Sequence, residues 1–412
     1  MLFRFLVGLL ICVLIQEGNA RVQAVGLQTL QTRFYELHTD LDEGTARALG
    51  SHMDVVFEAY GKMFERFQGH PTKRLDAYIF RTQTAYLEFL RKKYGVDGTG
   101  SGGMFLQRGD DGALVVFEGG QGLRRVREVL QHEGFHQYAA ILFPGIPLWA
   151  NEGFAELFEN GVVIDGEIDE FHVGSIPRGT LQQLKRARGE NGLLPFDSFF
   201  LIDSKAWSRS LKDGGASLNY MQAWSLVHFF LYAEEARWQD DFLGFLGLLN
   251  KGMDWQQAFS SVFKTSDYSE IQDEYIRWLD AAQPTSHRAI IHELEYLATG
   301  MHALHGAGIH PNTARLLRQQ LKSNRYEYES HLFGEITMLS ETHPGLFELQ
   351  LDEPGPGATI VLADDRGRPF LNGAPPGSRP WNIRTLGLKP FDYIVRWKNA
   401  GGRNPTFMLE KF

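Results

Sequence analysis

The sequence predicts an α+β protein with a small mixed sheet, a mainly helical middle and a small β module at the C-terminus. Short runs that alternate apolar and polar residues predict strands before residue 120, for example at 75–80 and 113–117. Apolar residues at helical spacing dominate from 123 to 282, whereas proline, glycine and short alternating runs dominate after 343. The 412 residues, of which 43% are hydrophobic, supply enough chain to bury these elements around a core.

Residues 1–20 have the pattern of a secretory signal peptide. Arg4 precedes an apolar run from 5 to 15, and a short polar segment ends at Ala20. The apolar run is shorter than the roughly 20 residues that a membrane-spanning helix needs. We therefore expect cleavage after Ala20 or Ala24 and loss of the single cysteine, Cys12, with the leader. The mature protein is then exported, periplasmic or secreted, and keeps no stable membrane span; an uncleaved segment that anchors the protein is the weaker alternative.

Residues 21–120 are predicted to be an N-terminal α/β part. A helical pattern runs from about 27 to 68 and ends at His70-Pro71, because proline lacks the backbone donor that a helix needs. Residues 75–80 predict a strand, 82–94 return to helical spacing, and 104–107 and 113–117 predict two more strands. The glycine-rich patch at 95–103 lacks the Gly-Lys-Ser/Thr ending of a phosphate loop, so we expect a mobile loop there.

Three further segments follow. Residues 121–284 are predicted to be helical, with helices at 123–142, 149–159, 181–188, 218–233, 242–249, 255–263 and 269–282. Residues 285–342 are a helical extension with helices at about 287–304 and 312–340. Residues 343–412 form the β module, with its best strands at 358–362, 383–388 and 393–398.

Composition limits both the partners and the metal ligands. Fifty acidic against 41 basic residues give a formal net charge of −9, which disfavours binding to nucleic-acid phosphates. A chain with one cysteine cannot build a disulfide framework or a zinc site from several thiolates. A metal ion would therefore have to be held by His, Asp or Glu side chains.

The helix predicted at 123–142 contains the pattern His132-Glu133-x-x-His136. Side chains four residues apart project from one face of a helix, about 6 Å from each other, so two neutral imidazoles can bind one Zn²⁺. Glu133 follows the first imidazole and can reach a metal-activated water without taking a ligand position, as a general base requires. The spacing thus makes 121–284 the predicted zinc-binding catalytic part.

A second acidic group is expected opposite the histidines. The short connection at 143–147 makes the helices at 123–142 and 149–159 antiparallel neighbours, which can bring Glu152 opposite His132 and His136. Glu152 would complete a His₂Glu zinc site with its fourth position open. Glu156, one turn later on the same face, is the expected acceptor for the ring N–H of His132.

These residues resemble the gluzincin zinc metallopeptidases, the superfamily of thermolysin and aminopeptidase N, and in particular its exported bacterial members. The resemblance is carried by the His-Glu-x-x-His motif and by the later segment Trp149-x-Asn151-Glu152-Gly153-Phe154-Ala155. It is specific from about 123 to 160. It implies a zincin-like core, a bound Zn²⁺, a peptide or protein substrate and Glu133 as the general base.

The resemblance also implies residues outside the motif. The oxyanion donor of the family lies on a later helix, where Tyr220 is the candidate in this chain and His228 the reserve. By analogy with the family, the strand at 113–117 is the sheet edge along which an extended peptide adds. The connection between the two helices is shorter than is typical of the aminopeptidases, and their Gly-x-Met-Glu-Asn segment is missing. The missing segment argues against exopeptidase activity and leaves endopeptidase activity, or another amide hydrolysis, open.

An alternative from another class is a metallopeptidase-like binding scaffold of the cell envelope with weak or no catalysis. The complete set of His132, Glu133, His136 and Glu152 argues against it, because a decayed site has no physical need to retain the base. The preferred interpretation is an exported zinc-dependent peptidase that hydrolyses peptide bonds by a metal-activated water, with Glu133 as the base.

Overall fold

The structure is a computed structural model, and it describes residues 26–69, 71, 73–108, 111–163, 171–207, 216–264, 268–334, 336–342, 359–377, 379–388, 392–398 and 406–412. The expected signal peptide, its cleavage sites and Cys12 lie outside these residues. The chain divides into two compact units. The first holds the described residues up to Gly161 together with Gln182–Ala282, and the second holds Val162–Leu181 and Gln283–Phe412.

The first unit contains a five-stranded mixed sheet with the order β1-β2-β3-β5-β4. β3 is parallel to both of its neighbours, whereas the outer pairs β1–β2 and β4–β5 are antiparallel. The strands are β1 (Gln28–Gln31), β2 (Tyr35–Thr39), β3 (Leu75–Phe80), β4 (Gly103–Arg108) and β5 (Asp111–Phe117). The expectation that 113–117 forms the sheet edge is therefore wrong, because β5 lies between β3 and β4 and the edge is β4.

The helix predicted from about 27 to 68 begins only at Glu43. Residues 35–39 alternate between buried and half-buried positions, which is the period of a strand, and they pair with β3 in parallel. This pairing joins residues about 40 positions apart, so local periodicity could not reveal it. The helix that follows, α1 (Glu43–Met63), is capped by Asp42, whose side chain accepts a hydrogen bond from the Thr45 N–H.

Helices make up most of the remainder of the first unit. In chain order they are α2 (Gln83–Phe89), α3 (Leu123–Leu142), α4 (Leu148–Glu159), α5 (Arg178–Gly189), α6 (Phe196–Phe199), α7 (Ala216–Tyr232), α8 (Gln239–Asn250), α9 (Trp255–Phe263) and α10 (Ser269–Ala281). A π-helical turn at Leu90–Tyr94 continues α2, and the division between the two units falls within α5.

Buried polar and aromatic contacts fix α3 against the sheet and α1. The Gln137 side-chain amide donates to the carbonyls of Asp76 and Gly112, at 3.3 and 3.2 Å, which joins α3 to β3 and β5. The Tyr60 hydroxyl of α1 donates to the carbonyl of Gln131 at 2.6 Å. An aromatic cluster packs between α1, α3 and α4 and includes Tyr60, Phe64, Phe135, Phe154 and Phe158. These contacts hold α3 and α4 as one rigid pair.

The second unit combines two helices with small antiparallel sheets. It contains the ladder β6 (Val162–Val163) with β7 (Phe171–His172), the helices α11 (His287–Gly306) and α12 (Ala314–Ser323), and the hairpin β8 (Tyr328–Ser330) with β9 (Thr337–Leu339). A four-stranded sheet follows, made of β10 (Thr359–Ala363), β11 (Asn382–Leu386), β12 (Tyr393–Lys398) and β13 (Thr406–Lys411). The α+β class and the small C-terminal sheet are thus confirmed.

The helix predicted at 312–340 ends at Ser323, and the rest of that segment contains the β8–β9 hairpin. Arg325 adopts a left-handed backbone conformation just after the helix, which stops its continuation. One hydrophobic core includes Leu297 and Met301 of α11, Leu317 of α12 and Ile383 of β11, so helices and sheet are packed together. Among the described helices, none has the length and apolar character needed to cross a membrane.

Candidate metal centre

Three buried side chains from two neighbouring helices converge in the first unit. His132 and His136 lie one turn apart on α3, with ring centroids 4.9 Å from each other. Glu152 on α4 faces them, because α4 follows after a short connection and runs antiparallel to α3. The exposed fractions of His132, His136 and Glu152 are 0%, 2% and 0%. Among the described residues, no other group of three potential metal ligands is buried in all its members.

The distances between these side chains fit a bound metal ion. Oε2 of Glu152 lies 3.5 Å from Nε2 of His132 and 3.6 Å from Nε2 of His136. Two ligands about 2.0–2.1 Å from a tetrahedral ion lie about 3.4 Å from each other. Both Nε2 atoms and both Glu152 oxygens lack a hydrogen-bond partner among the described residues, and a buried polar atom without a partner is costly. A cation bound between them would satisfy all three side chains.

The other ring nitrogen of each histidine has a hydrogen-bond partner. Nδ1 of His136 lies 3.0 Å from Oδ1 of Asn151, and Nδ1 of His132 lies 2.9 Å from Oε2 of Glu159. Both partners are acceptors, so each ring donates from Nδ1, and Nε2 is the atom of each ring that a metal ion would bind. The expectation for Glu156 is corrected here: its Oε1 lies 3.9 Å from Nδ1 of His132, and Glu159 takes the hydrogen bond instead.

Glu133 is held beside the histidines by the edge strand of the sheet. One carboxylate oxygen, Oε2, accepts a hydrogen bond from the Phe105 N–H of β4 at 2.8 Å, and Oε1 has no hydrogen-bond partner among the described residues. Gly103 permits this close approach, because a Cβ at that position would lie 2.6 Å from the Val129 side chain. Burial raises the pKa of Glu133 to about 7, although the charge of His132 opposes the shift.

The two histidines differ in their electrostatic surroundings. Burial lowers the pKa of His132, but the nearby carboxylate of Glu152 and the hydrogen bond to Glu159 outweigh that effect and raise the pKa well above the usual value. Burial and the charge of His132 lower the pKa of His136 to about 3. Burial raises the pKa of Glu152, against the effect of its interaction with His132. The carboxylates around His132 therefore give this site the negative charge that attracts a cation.

Tyr220, near the start of α7, lies beside the three converging side chains. Its ring centroid is 6.3 Å from that of His132, and the side chain is buried. Burial, and then the negative charge of Glu152, raise the pKa of Tyr220 well above its usual value. The hydroxyl therefore stays protonated and can donate a hydrogen bond.

His228 lies two turns further along α7, in different surroundings. Its ring packs against Trp224, Tyr232 and Trp278, with centroid distances of 5.4, 5.1 and 5.6 Å. These contacts place the imidazole in the aromatic packing between α7 and α10. Of the two candidate oxyanion donors, Tyr220 is the one whose ring lies beside His132, so it is the better placed of the two.

Three contacts of the site had no role in the sequence-based interpretation. Asn151 directly precedes Glu152, and this position is the signal that it could contact His136. Glu159 lies seven residues after Glu152, two turns along the same face of α4, so the spacing was compatible with Glu159 as well as Glu156. Nothing in the local sequence indicates the contact between Phe105 and Glu133, because it depends on the sheet order.

No protein-family model matches the chain, and no curated protein matches it either. The residues of the site are therefore the basis for any statement about function. Two imidazoles, one carboxylate and an adjacent carboxylate with a free oxygen can bind a divalent cation and transfer a proton beside it.

Proposed function

We propose that the protein is an exported zinc-dependent peptidase of the gluzincin type, with a zincin-like catalytic core in its first unit. The observation that carries the proposal is the convergence of three buried ligand atoms that have no hydrogen-bond partner in the part of the chain that the structure describes, next to a carboxylate that is not needed as a ligand. The exported location follows from the pattern of residues 1–20.

The donor set supports zinc as the metal. His132, His136 and Glu152 match the His₂Glu set that catalytic zinc sites use, and three protein ligands leave a coordination position for a reactant. A bound Zn²⁺ would polarise the scissile carbonyl and lower the pKa of a water molecule. Copper, nickel and cobalt also bind imidazole, so the identity of the metal is part of the test.

The side chains of the chain itself supply proton transfer and charge stabilisation. Oε1 of Glu133 accepts the proton of the attacking water and passes it to the leaving amine, while the Phe105 N–H holds Oε2 in place. The Tyr220 hydroxyl donates to the substrate oxygen as negative charge develops there. Burial of these groups excludes bulk water, which strengthens both interactions.

The edge of the sheet supports a peptide as the substrate. β4 is an outer strand, and the backbone N–H of Phe105 points to Glu133, so the outer side of β4 faces the candidate catalytic carboxylate. An extended peptide can pair with such an edge, and main-chain pairing accepts many sequences. A substrate that adds to β4 would therefore bring a peptide bond towards Glu133.

The test compares metal content with peptide cleavage. Purified protein should contain about one equivalent of zinc and cleave members of a peptide library. Glu133→Gln should retain zinc and lose cleavage, because it removes the base and keeps the ligands, whereas His136→Ala should lose zinc. Cleavage by Glu133→Gln at the wild-type rate, or protein that binds no divalent metal, would contradict the proposal.

One observation favours the alternative of a non-catalytic scaffold. The exposed fractions of His132, Glu133, His136 and Glu152 are all 2% or less, so a substrate reaches the site only if covering groups move. A metal ion that only stabilises the fold needs no such access. If wild type and Glu133→Gln both bind zinc and neither cleaves any peptide, the scaffold is the better interpretation.

A further inference from the structure

We propose that Glu159 is the positioning residue for the metal ligand His132, and that Arg125 selects Glu159 for this role in preference to Glu156. The proposal rests on the metal centre of the proposed function, but it does not require peptidase activity. It assigns a role to a carboxylate and a guanidinium that the ligand set and the catalytic base do not use.

The hydrogen bonds form a continuous path from the surface to the metal ligand. Oε2 of Glu159 lies 2.9 Å from Nδ1 of His132, and Oε1 of the same carboxylate accepts from Nη1 of Arg125 at 2.7 Å. The same Nη1 donates to Oε2 of Glu128 at 3.1 Å. Each oxygen of Glu159 therefore has its own partner, and the carboxylate is fixed from both sides.

An acceptor at Nδ1 decides how the imidazole of His132 can act. In the metal-bound state it accepts a hydrogen bond from the proton that Nδ1 carries, so that Nε2, which faces Glu152, binds the metal ion. It also restrains rotation of the ring about its Cβ bond. Partners of this kind orient metal ligands, and their loss lowers metal affinity about 10–100-fold.

The packing of α3 against the last turn of α4 explains why Glu159 is within reach of both His132 and Arg125. Arg125 lies seven residues before His132 on α3, which places it two turns away on the same face. The side-chain amide of Gln131 donates to the carbonyls of Phe158 and Gly161, at 2.5 and 3.2 Å, and so fastens the last turn of α4 beside α3.

Geometry separates the two candidate carboxylates. Oε2 of Glu159 lies 2.9 Å from Nδ1 of His132, whereas Oε1 of Glu156 lies 3.9 Å away, beyond hydrogen-bond distance. Nη1 of Arg125 lies 2.7 Å from Oε1 of Glu159, and this ion pair fixes the carboxylate so that its other oxygen faces His132.

The first experiment measures the protonated ring nitrogen directly, in full-length protein with ¹⁵N-labelled histidine. In zinc-loaded wild type, NMR should show an Nδ1–H of His132 that exchanges slowly with water because it donates to Glu159, and His132→Gln identifies its signal. Glu159→Leu should make this exchange faster, and Glu159→Gln, which keeps an amide oxygen as acceptor, should preserve part of the protection. Glu156→Gln should leave the signal unchanged. The reverse pattern for the variants at 156 and 159 would overturn the proposal.

The second experiment measures affinity for Zn²⁺ and Co²⁺ by competition with a chelator, together with the absorption spectrum of the cobalt form. Glu159→Leu should weaken binding at least about tenfold and change the cobalt spectrum, and Glu156→Gln should not. Arg125→Met should also weaken binding. Arg124→Met is the matched control, because Arg124 pairs with Glu128 and its removal changes net charge equally.

The outcomes separate this proposal from the proposed function. Metal binding that depends on Glu159 in a protein without peptidase activity would support the positioning role and contradict the peptidase. Peptide cleavage with metal affinity that is equal in wild type, Glu159→Leu and Arg125→Met would support the peptidase and overturn the positioning role. Circular dichroism and the melting temperature of each variant establish that it is folded.

Discussion

Gly153 lies so close to Ala223 that a Cβ at position 153 would be 2.4 Å from the Ala223 carbonyl oxygen. The same Cβ would lie 2.5 Å from a methyl group of Val227. Because this position has no side chain, α4 and α7 pack with their backbones nearly in contact. That close packing brings Glu152, the neighbour of Gly153, and Tyr220 to the same site.

Gly153→Ala should therefore destabilise the first unit. The new methyl group meets a backbone carbonyl that cannot turn away, and overpacking of this kind costs about 1–3 kcal/mol. Urea unfolding measures the change. Gly61→Ala in α1 is the matched control, because a Cβ there has no neighbour within 4 Å and alanine is favoured over glycine in a helix. Equal free energies of unfolding for Gly153→Ala and wild type would contradict the close approach of Gly153 to the Ala223 carbonyl.

Tyr220→Phe should reduce catalysis without loss of the metal. The substitution removes only the hydroxyl, and the loss of one oxyanion donor lowers kcat about 10²–10³-fold. Steady-state kinetics on a cleaved peptide, with zinc content measured on the same sample, provide the comparison. Tyr232→Phe makes the same change on the same helix beside His228 and should leave kcat unaltered. If the two variants have the same kcat, Tyr220 is not the donor.

The central part of the site could be predicted from sequence because it depends on local geometry. His132, Glu133 and His136 occupy one helix, and the spacing of that helix fixes their relative positions. Glu152 needed one further step, the short connection that makes α3 and α4 antiparallel. These four residues are the ones whose positions follow from neighbours in the chain.

The remaining contacts could not be predicted, because they depend on pairs distant in sequence. Helical spacing is compatible with either Glu156 or Glu159, and the ion pair of Glu159 with Arg125 joins two helices. The partner of Glu133 is a backbone N–H of β4, whose place at the edge follows from the sheet order. The prediction of a helix before Glu43 is wrong for the same reason: β2 is stabilised by pairing with β3, about 40 residues later in the chain, and local periodicity does not show that pairing.

Removal of the metal should lower the stability of the first unit. A ligand that binds only the folded state contributes about 2.7 kcal/mol at a concentration 100 times its Kd. Without it, the Glu152 carboxylate and both Nε2 atoms are buried with no hydrogen-bond partner within the described ranges of the chain. Calorimetry with and without a chelator should show a lower melting temperature after chelation, and re-added Zn²⁺ should restore it.

The control is His136→Ala, whose melting temperature should not respond to the chelator. A wild-type protein that melts at the same temperature in both conditions would contradict a metal centre.

Mild acid should destabilise the first unit through His52, a buried residue of α1. Burial, followed by the charge of Arg127, lowers the pKa of His52 to about 3, whereas an unfolded histidine has a pKa of about 6.5. Between these values the unfolded state binds more protons, so the free energy of unfolding falls as the pH falls below 6.5. From about pH 7.5 to about pH 5.5, this one group lowers the free energy of unfolding by about 1.4 kcal/mol.

Urea unfolding at both pH values should show a smaller loss of unfolding free energy in His52→Leu than in wild type. His331→Leu, at an exposed position, should keep the wild-type loss. An equal loss in His52→Leu and wild type would show that His52 is not the group that titrates.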